Sequence, residues 1–304
     1  MSVIKNVAIT GAAGALGKPI FEALVQSNKF NITVLTRSTS TSTHTYPSSV
    51  TVLPVDFDST PSLTAALQSQ KIDAVVSCVG TEGHLGQKFI IDAAVAAGVT
   101  RFIPSDYGSD LSDPQTRALP VFGNKVATAS HLEDVAAKSP SFTYTFIYNG
   151  VFLDWGLEHN FILDVTSGKP SIYNGGDKLF STTTLETVAQ AVVAVLSKLE
   201  ETKNRAVYIE DVQISQNRLL SIAKKVAPEK KWEVVPVKTA DIFKSSNEKL
   251  AKGEVTMEVM VGYLLVSVFE EGYPSRWEKP DNELLGLKGK TDAELEAIVK
   301  RYIK

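Results

Sequence analysis

The stretch VAITGAAGALGKPIFEAL, Val7 to Leu24, sets Gly11, Gly14 and Gly17 three residues apart between an apolar run and an amphipathic one. Each glycine has a mechanical reading. Gly11 permits a sharp turn off a strand, Gly14 lets backbone approach an anion with no Cβ in the way, and Gly17 lets a helix pack closely on a sheet. The helix that follows offers N–H groups with no intrahelical partner. Alone, the spacing is compatible with a glycine-rich turn that holds nothing. What lies before and after it turns the reading towards a dinucleotide pyrophosphate, contacted by Thr10, Gly11, Ala13, Gly14, Ala15, Leu16 and Gly17.

Apolar, β-rich runs and helix-length segments alternate through the first half. Lys5–Thr10, Ile32–Leu35, Val50–Val55, Ala74–Cys78, Arg101–Ile103 and Tyr144–Tyr148 read as strands. Ala15–Ser27, Thr60–Gln68, Gln87–Ala97 and Val121–Lys138 read as helices between them. Such alternation implies parallel strands joined by right-handed crossovers, hence an α/β, Rossmann-type doubly wound sheet. After Gly150 the pattern is less regular, although Thr184–Leu199 predicts a helix and Ala206–Ile209 a strand. The tail TDAELEAIVKRYIK opens on a capping box, Thr291 to Glu294. The expected division is a nucleotide domain over 1–150, rejoined by a segment near 180–210, and a smaller interleaved substrate lobe over 151–304. RSTSTSTHTYPSS, Arg37–Ser49, buries little and reads as a mobile surface loop.

The end of the second strand selects the dinucleotide. An NAD site wants Asp or Glu there for the ribose 2′-hydroxyl. This chain has VLTRSTS, so Arg37 stands at that place with Ser38 and Thr39 beside it. A guanidinium pairs with a 2′-phosphate, which selects NADPH. Asp56 and Phe57, closing the third strand, fall near the adenine, and Cys78, Val79 and Gly80, closing the fourth, fall along the pyrophosphate or ribose. Cys78 is the only cysteine, which excludes internal disulfides. With no basic partner evident it reads as an apolar filler.

None of the nine tyrosines has a lysine four positions later, so a Tyr-x-x-x-Lys carbonyl-reductase centre has no support. Lys125, early in the helix that leads to the sixth strand, is the candidate catalytic residue. A free lysine is a poor base at neutral pH, but burial lowers its pKa towards a usable acid/base; otherwise it serves as a fixed charge for a developing phenolate or enolate. Tyr107, Phe122, Phe152 and Trp155 are candidates for an aromatic substrate pocket and equally for plain core. Asn149 and Phe152 are candidates at the nicotinamide end of the cofactor. His84, in GTEGHLGQ, is a candidate to contact the cofactor or shuttle protons but is more readily expected as a solvated loop histidine, and His131 as a structural one. The four histidines show no metal-ligand spacing.

The glycine motif, LTR, RFIPSDYG (Arg101–Gly108), Lys125 and YTFIYNGVFLDW (Tyr144–Trp155) occur in an order that resembles the isoflavone reductase-like group of atypical short-chain dehydrogenases, which belongs with the NmrA-like proteins. In the plant reductases the third motif commonly reads Phe-x-Pro-Ser-Glu-Phe-Gly. The resemblance spans about Val3 to Leu199. It implies NADPH-dependent reduction of an aromatic or conjugated small molecule, with Lys125 carried over as the catalytic residue. It also leaves a second reading, since NmrA-like relatives include proteins that bind a dinucleotide as a redox signal without turnover. The chain departs from the plant pattern after the lysine, where Ala129-Ser130-His131 replaces a paired Arg, and at Ile147-Tyr148-Asn149.

The 304 residues, 43% hydrophobic and 21% charged, suffice for a large core. A net charge of −3 with no basic block gives no support to nucleic-acid or membrane-surface partners. MSVIKNVAIT leads straight into a strand, so a cytoplasmic protein is expected, without a signal segment or a membrane span. Oligomeric state is not legible.

Overall fold

In the computed structural model, which describes residues 3–39 and 44–303, strand and helix alternate from the start. β1 (Asn6–Thr10), α1 (Gly17–Gln26), β2 (Asn31–Arg37), β3 (Thr51–Val55), α2 (Thr60–Ser69), β4 (Ala74–Ser77), α3 (Gln87–Ala96) and β5 (Arg101–Ile103) come first. A short α4 (Pro114–Arg117) and the long α5 (Gly123–Lys138) precede β6 (Thr143–Tyr148). Next come β7 (Val151–Phe152), α6 (Leu153–Glu158), β8 (Ser171–Tyr173), β9 (Phe180–Thr183), α7 (Leu185–Ser197), α8 (Leu199–Thr202) and β10 (Arg205–Tyr208). The chain ends with β11 (Val212–Ile214), α9 (Gln216–Val226), β12 (Val235–Val237), α10 (Thr239–Ala251), α11 (Met257–Phe269), α12 (Asn282–Leu285) and α13 (Asp292–Tyr302).

Seven strands form one parallel sheet in the order β10-β6-β5-β4-β1-β2-β3. β1 lies between β2 and β4, with Thr10 opposite Leu35 on one side and Ser77 on the other. The order therefore reverses at β1, the switch point where α/β sheets place their ligands. Helices cover both faces of such a sheet, so its central strands carry unbroken apolar runs: Val7, Ala8, Ile9, Ala74, Val75 and Val76 are all 0% exposed. The helix expected from Val121 starts at Gly123, because Pro120–Phe122 forms a separate 3-10 turn.

The chain divides into two compact units. The first comprises residues 1–107, 124–147 and 188–207, the second 108–123, 148–187 and 208–304. Residues 108–123 thus group with the later part of the chain. In the second unit β9 joins β11 antiparallel and β7 parallel, and β12 pairs with β8 in parallel. Phe180, Leu163, Leu219 and Phe269 sit in its core. The capping box at Thr291 and Glu294 is formed, starting α13.

Within the first unit, Arg101 is 1% exposed at the start of β5. Its Nε donates to Thr143 Oγ1 (2.9 Å), its Nη1 to Thr145 Oγ1 (2.7 Å) and Thr202 Oγ1 (2.9 Å), and its Nη2 to the Leu199 carbonyl (2.6 Å). One guanidinium therefore ties β5 to β6 and to the short α8 that leads into β10. Burial lowers its pKa to about 10, against the opposing effect of the Glu200 charge, so it stays cationic at neutral pH. Truncation removes four hydrogen bonds at once, although each of the three hydroxyls keeps a carbonyl to donate to: Thr143 that of Thr100, Thr145 that of Thr202 and Thr202 that of Lys198. Arg101→Met should cost about 3 kcal/mol, seen as a lower urea midpoint by far-UV circular dichroism; an unchanged midpoint would show that the guanidinium carries no net stability.

Candidate functional site

The C-terminal ends of β1, β2 and β4 supply the first part of the site, all within the first unit. Gly11 has φ +70°, and a Cβ on it would lie 2.2 Å from the Cys78 carbonyl oxygen. A Cβ on Gly17 would lie 2.0 Å from the Gly11 carbonyl oxygen. Those two glycines are demanded by the chain's own backbone. Gly14 differs: its Cβ would meet only the Gly11 oxygen, at 3.3 Å, and it sits exposed with Ala13 and Ala15. Leu16 is half-buried and carries no side-chain cap for α1, whose first turn holds no acidic residue. By contrast α2, α9, α11 and α13 each begin on a serine or threonine that accepts a backbone N–H. The rim of α1 is left as bare backbone with the positive end of a helix dipole behind it.

Beneath that rim Thr10 is buried and its hydroxyl donates to Ser77 Oγ (3.3 Å). Arg37, at the end of β2, is exposed, and the Ser38 amide bonds the Val55 carbonyl (2.9 Å) beside it. Asp56 is exposed and Phe57 half-buried just past β3. Of the loop expected over Arg37–Ser49, residues 40–43 lie outside the described residues. Cys78 is buried, Val79 half-buried and Gly80 exposed. Burial pushes the Cys78 thiol up to about 12, against a lowering contact from the Tyr107 hydroxyl. The Tyr107 phenol is itself raised by burial and by Cys78. Both groups stay neutral at ordinary pH.

Lys125 stands in the first turn of α5, half-buried, with its Nζ donating to the Tyr107 carbonyl (2.5 Å). Burial lowers its pKa, and the Asp106 carboxylate opposes that by attracting the ammonium. Lys125, Asp106 and Tyr107 are thus brought together at the β5 end. His84, weighed as a cofactor contact or proton shuttle but expected to be a solvated loop residue, is only 8% exposed, because Gln87 and Thr128 enclose it. Burial, then the charge of Lys125, lowers its pKa to about 4. His131 Nε2 pairs with Asp92 Oδ1 at 2.7 Å, the structural role expected of it.

The remaining candidates belong to the second unit. Phe122 is buried, Phe152 half-buried in β7, and Trp155 stacks on His159 with ring centroids 4.3 Å apart. Asn149 is fully buried, with a side-chain Oδ1 that has no partner among the described residues. A separate open groove of about 940 Å³ lies in this unit along α10 and α11, lined by Ile242, Ser245, Val259, Val261, Gly262 and Leu265 among others. None of the expected site residues lines it.

A doubly wound sheet whose first β-to-α turn carries only glycine, alanine and one leucine is an α/β unit of the dinucleotide-binding kind. The chain belongs to the NmrA-like family, whose model matches residues 4–264. It is 33% identical over 304 residues to "Oxidoreductase poxI" of Penicillium oxalicum, covering 95% of this chain and 91% of that one. Among solved structures it resembles AtPrR2 with NADP+ and (+)pinoresinol, with a TM-score of 0.81, 20% identity and 100% of each chain covered. It also resembles isoflavone reductase, with a TM-score of 0.77, 20% identity, and 99% and 100% of the two chains covered. The family expected from the motifs is the family found. Among the described residues no helix is long and apolar enough to cross a membrane.

Two outcomes check this geometry. Gly17→Ala should lower the melting temperature by several degrees, and Gly14→Ala, whose Cβ meets the Gly11 oxygen at 3.3 Å rather than 2.0 Å, should lower it by clearly less. Native protein at pH 8 should resist a thiol reagent at Cys78, and denaturant should release the reaction; fast native labelling would contradict the buried, protonated thiol.

Proposed function

We propose that this chain is an NADPH-dependent oxidoreductase that reduces an aromatic or conjugated small molecule, with Lys125 as the proton donor. The observation that carries the reading is the bare rim at Gly14 above an uncapped α1. Gly11 and Gly17 answer to internal contacts near 2 Å, whereas position 14 meets only the Gly11 oxygen at 3.3 Å, and α1 starts without a cap. A pyrophosphate accounts for both. Arg37, exposed at the adjoining strand end, supplies the guanidinium for a 2′-phosphate. The name of the Penicillium relative and the NADP+ in the AtPrR2 structure support the same chemistry.

When bound, NADPH supplies a hydride from its dihydronicotinamide, and reduction takes up one proton overall. On this reading the Lys125 ammonium gives that proton to the substrate oxygen and is recharged from solvent. Its hold on the Tyr107 carbonyl orients the Nζ, and the Asp106 carboxylate keeps the ammonium populated despite burial. The ammonium is the competent form, so kcat falls as pH rises through a lysine pKa lying below the ordinary value.

Arg37→Ala should weaken NADPH at least about tenfold, the worth of a charge-assisted contact, and leave NADH within about twofold. Equal losses for the two cofactors, read by fluorescence titration, would remove Arg37 from the 2′-phosphate. Lys125→Met should keep NADPH affinity and lower kcat by about a hundredfold or more on whichever enone, quinone or phenolic ether is turned over. Tight NADPH binding with silence across that panel would instead favour a dinucleotide sensor.

A further inference from the structure

His84 is a buried titratable group that the reading above does not use, and its surroundings fix its state. The Ser105 backbone N–H donates to Gln87 Oε1 (2.9 Å). A backbone amide can only donate, so the oxygen end of the Gln87 amide is assigned and its nitrogen end must face His84. Gln87 Nε2 lies 3.4 Å from His84 Nδ1. An amide NH2 can only donate as well, so Nδ1 is the acceptor and the imidazole proton resides on Nε2. Protonating Nδ1 would set N–H against N–H in a site where Gln87 is 2% and His84 8% exposed. The same residue is anchored to the lysine's helix, since Thr128 Oγ1 donates to both the His84 carbonyl (3.0 Å) and the Asn124 carbonyl (3.0 Å). Ser105 is held in turn by its hydroxyl on the Val79 carbonyl (2.8 Å).

We propose that His84 is a positioning residue for Lys125: the Ser105 amide, acting through Gln87, locks the imidazole neutral with its proton on Nε2, and so keeps a second cation away from the lysine. The charged group that faces His84 is Lys125, and the one facing Lys125 is Asp106. An ordinary histidine would be half-charged near pH 6.5, and an imidazolium beside Lys125 would drive the lysine towards its amine. The locked imidazole removes that competition through the physiological range, and the depressed pKa of about 4 agrees with it. The inference rests on Lys125 acting as an ammonium in the reaction proposed above, but its first test does not involve turnover.

The experiment is nitrogen-15 NMR of the full chain labelled at histidine, in the wild type and in Gln87→Glu. The glutamate can still accept from Ser105 with one oxygen while its other oxygen accepts from Nδ1, which reverses the sense of the bond. The wild-type His84 should show a protonated Nε2, a bare Nδ1 and no titration between pH 5 and 8. Gln87→Glu should show His84 doubly protonated at pH 7, with the KM for NADPH within about twofold. A wild-type His84 that titrates near 6.5, or carries its proton on Nδ1, overturns the lock. In the Gln87→Met background, which adds no charge, Lys125→Met should raise the His84 pKa further, the reciprocal of the repulsion between the two groups; an unmoved His84 pKa overturns the positioning role. Should Gln87→Glu fail to fold, Gln87→Met tests the lock, because loss of the donor must let the His84 pKa rise towards its ordinary value; an unmoved value overturns it. Loss of turnover in Lys125→Met, with the wild-type His84 spectrum as expected, would leave both readings standing. Full turnover in that variant, with the same wild-type spectrum, would fault the reductase role of Lys125 alone.

Discussion

The first unit is organised by the approach of the Gly11 backbone to the Cys78 carbonyl, a contact that leaves no room for a Cβ. Neighbouring strands in the middle of a sheet are held about 5 Å apart by their hydrogen bonds, but at the end of β1 the chain must leave the sheet plane, turn back and start a helix. It does so over the crest of β4, with Gly11 in the left-handed region and Gly17 folded back on the Gly11 oxygen. Thr10 and Ser77 close the hydroxyl contact just below. The start of α1, the exit of β4 and the loop that carries His84 all take their places from this crossing.

Around it the protein manages ionisable groups by a single rule: those that would be charged without a partner are held neutral. Cys78 and Tyr107 shift each other's proton equilibria, and burial raises both. His84 is lowered, so it too is neutral. Lys125 alone is stationed beside a carboxylate, Asp106, and a carbonyl that accepts its proton. Arg101 meets the same problem with three hydroxyls and a carbonyl in place of an ion pair, which satisfies its donors and leaves its charge in place. Cys78, Tyr107 and His84 are therefore neutral near pH 7, which leaves the Lys125 amine and the Asp106 carboxylate as the charged pair of this cluster.

How legible this was depends on how local the cause is. The strands of the parallel sheet are buried on both faces, so their apolar runs announce themselves, and the glycine spacing marks the first turn. The capping box of α13 is a four-residue pattern and was equally readable. His84 was not, because a histidine among glycines reads as solvated until Gln87 and Thr128, three and forty-four residues away, close over it. Arg101 opens the motif RFIPSDYG and a short strand, but nothing local marks it as buried; its partners lie forty-two to one hundred and one residues further on. The grouping of 108–123 with the later chain, and the two- to four-residue strands of the second unit, likewise depend on pairings between distant segments that no local pattern encodes.

The glycine motif itself divides once its contacts are separated. A spacing of Gly-x-x-Gly-x-x-Gly is usually taken whole as a sign of a nucleotide, yet Gly11 and Gly17 would be needed here with nothing bound, since each faces a carbonyl oxygen about 2 Å from where a Cβ would stand. They specify the turn. Gly14 has no neighbour that close, only the Gly11 oxygen at 3.3 Å, and it sits exposed beside a helix that starts, as α3 also does, with neither a hydroxyl cap nor an acidic first turn. An isolated helix start of that kind forgoes about 1 kcal/mol that a serine would have supplied. What the fold forgoes at that point is recovered when an anion takes the place of the cap, so the ligand reading rests on position 14 and the bare helix end, and the other two glycines supply the geometry that makes the position reachable.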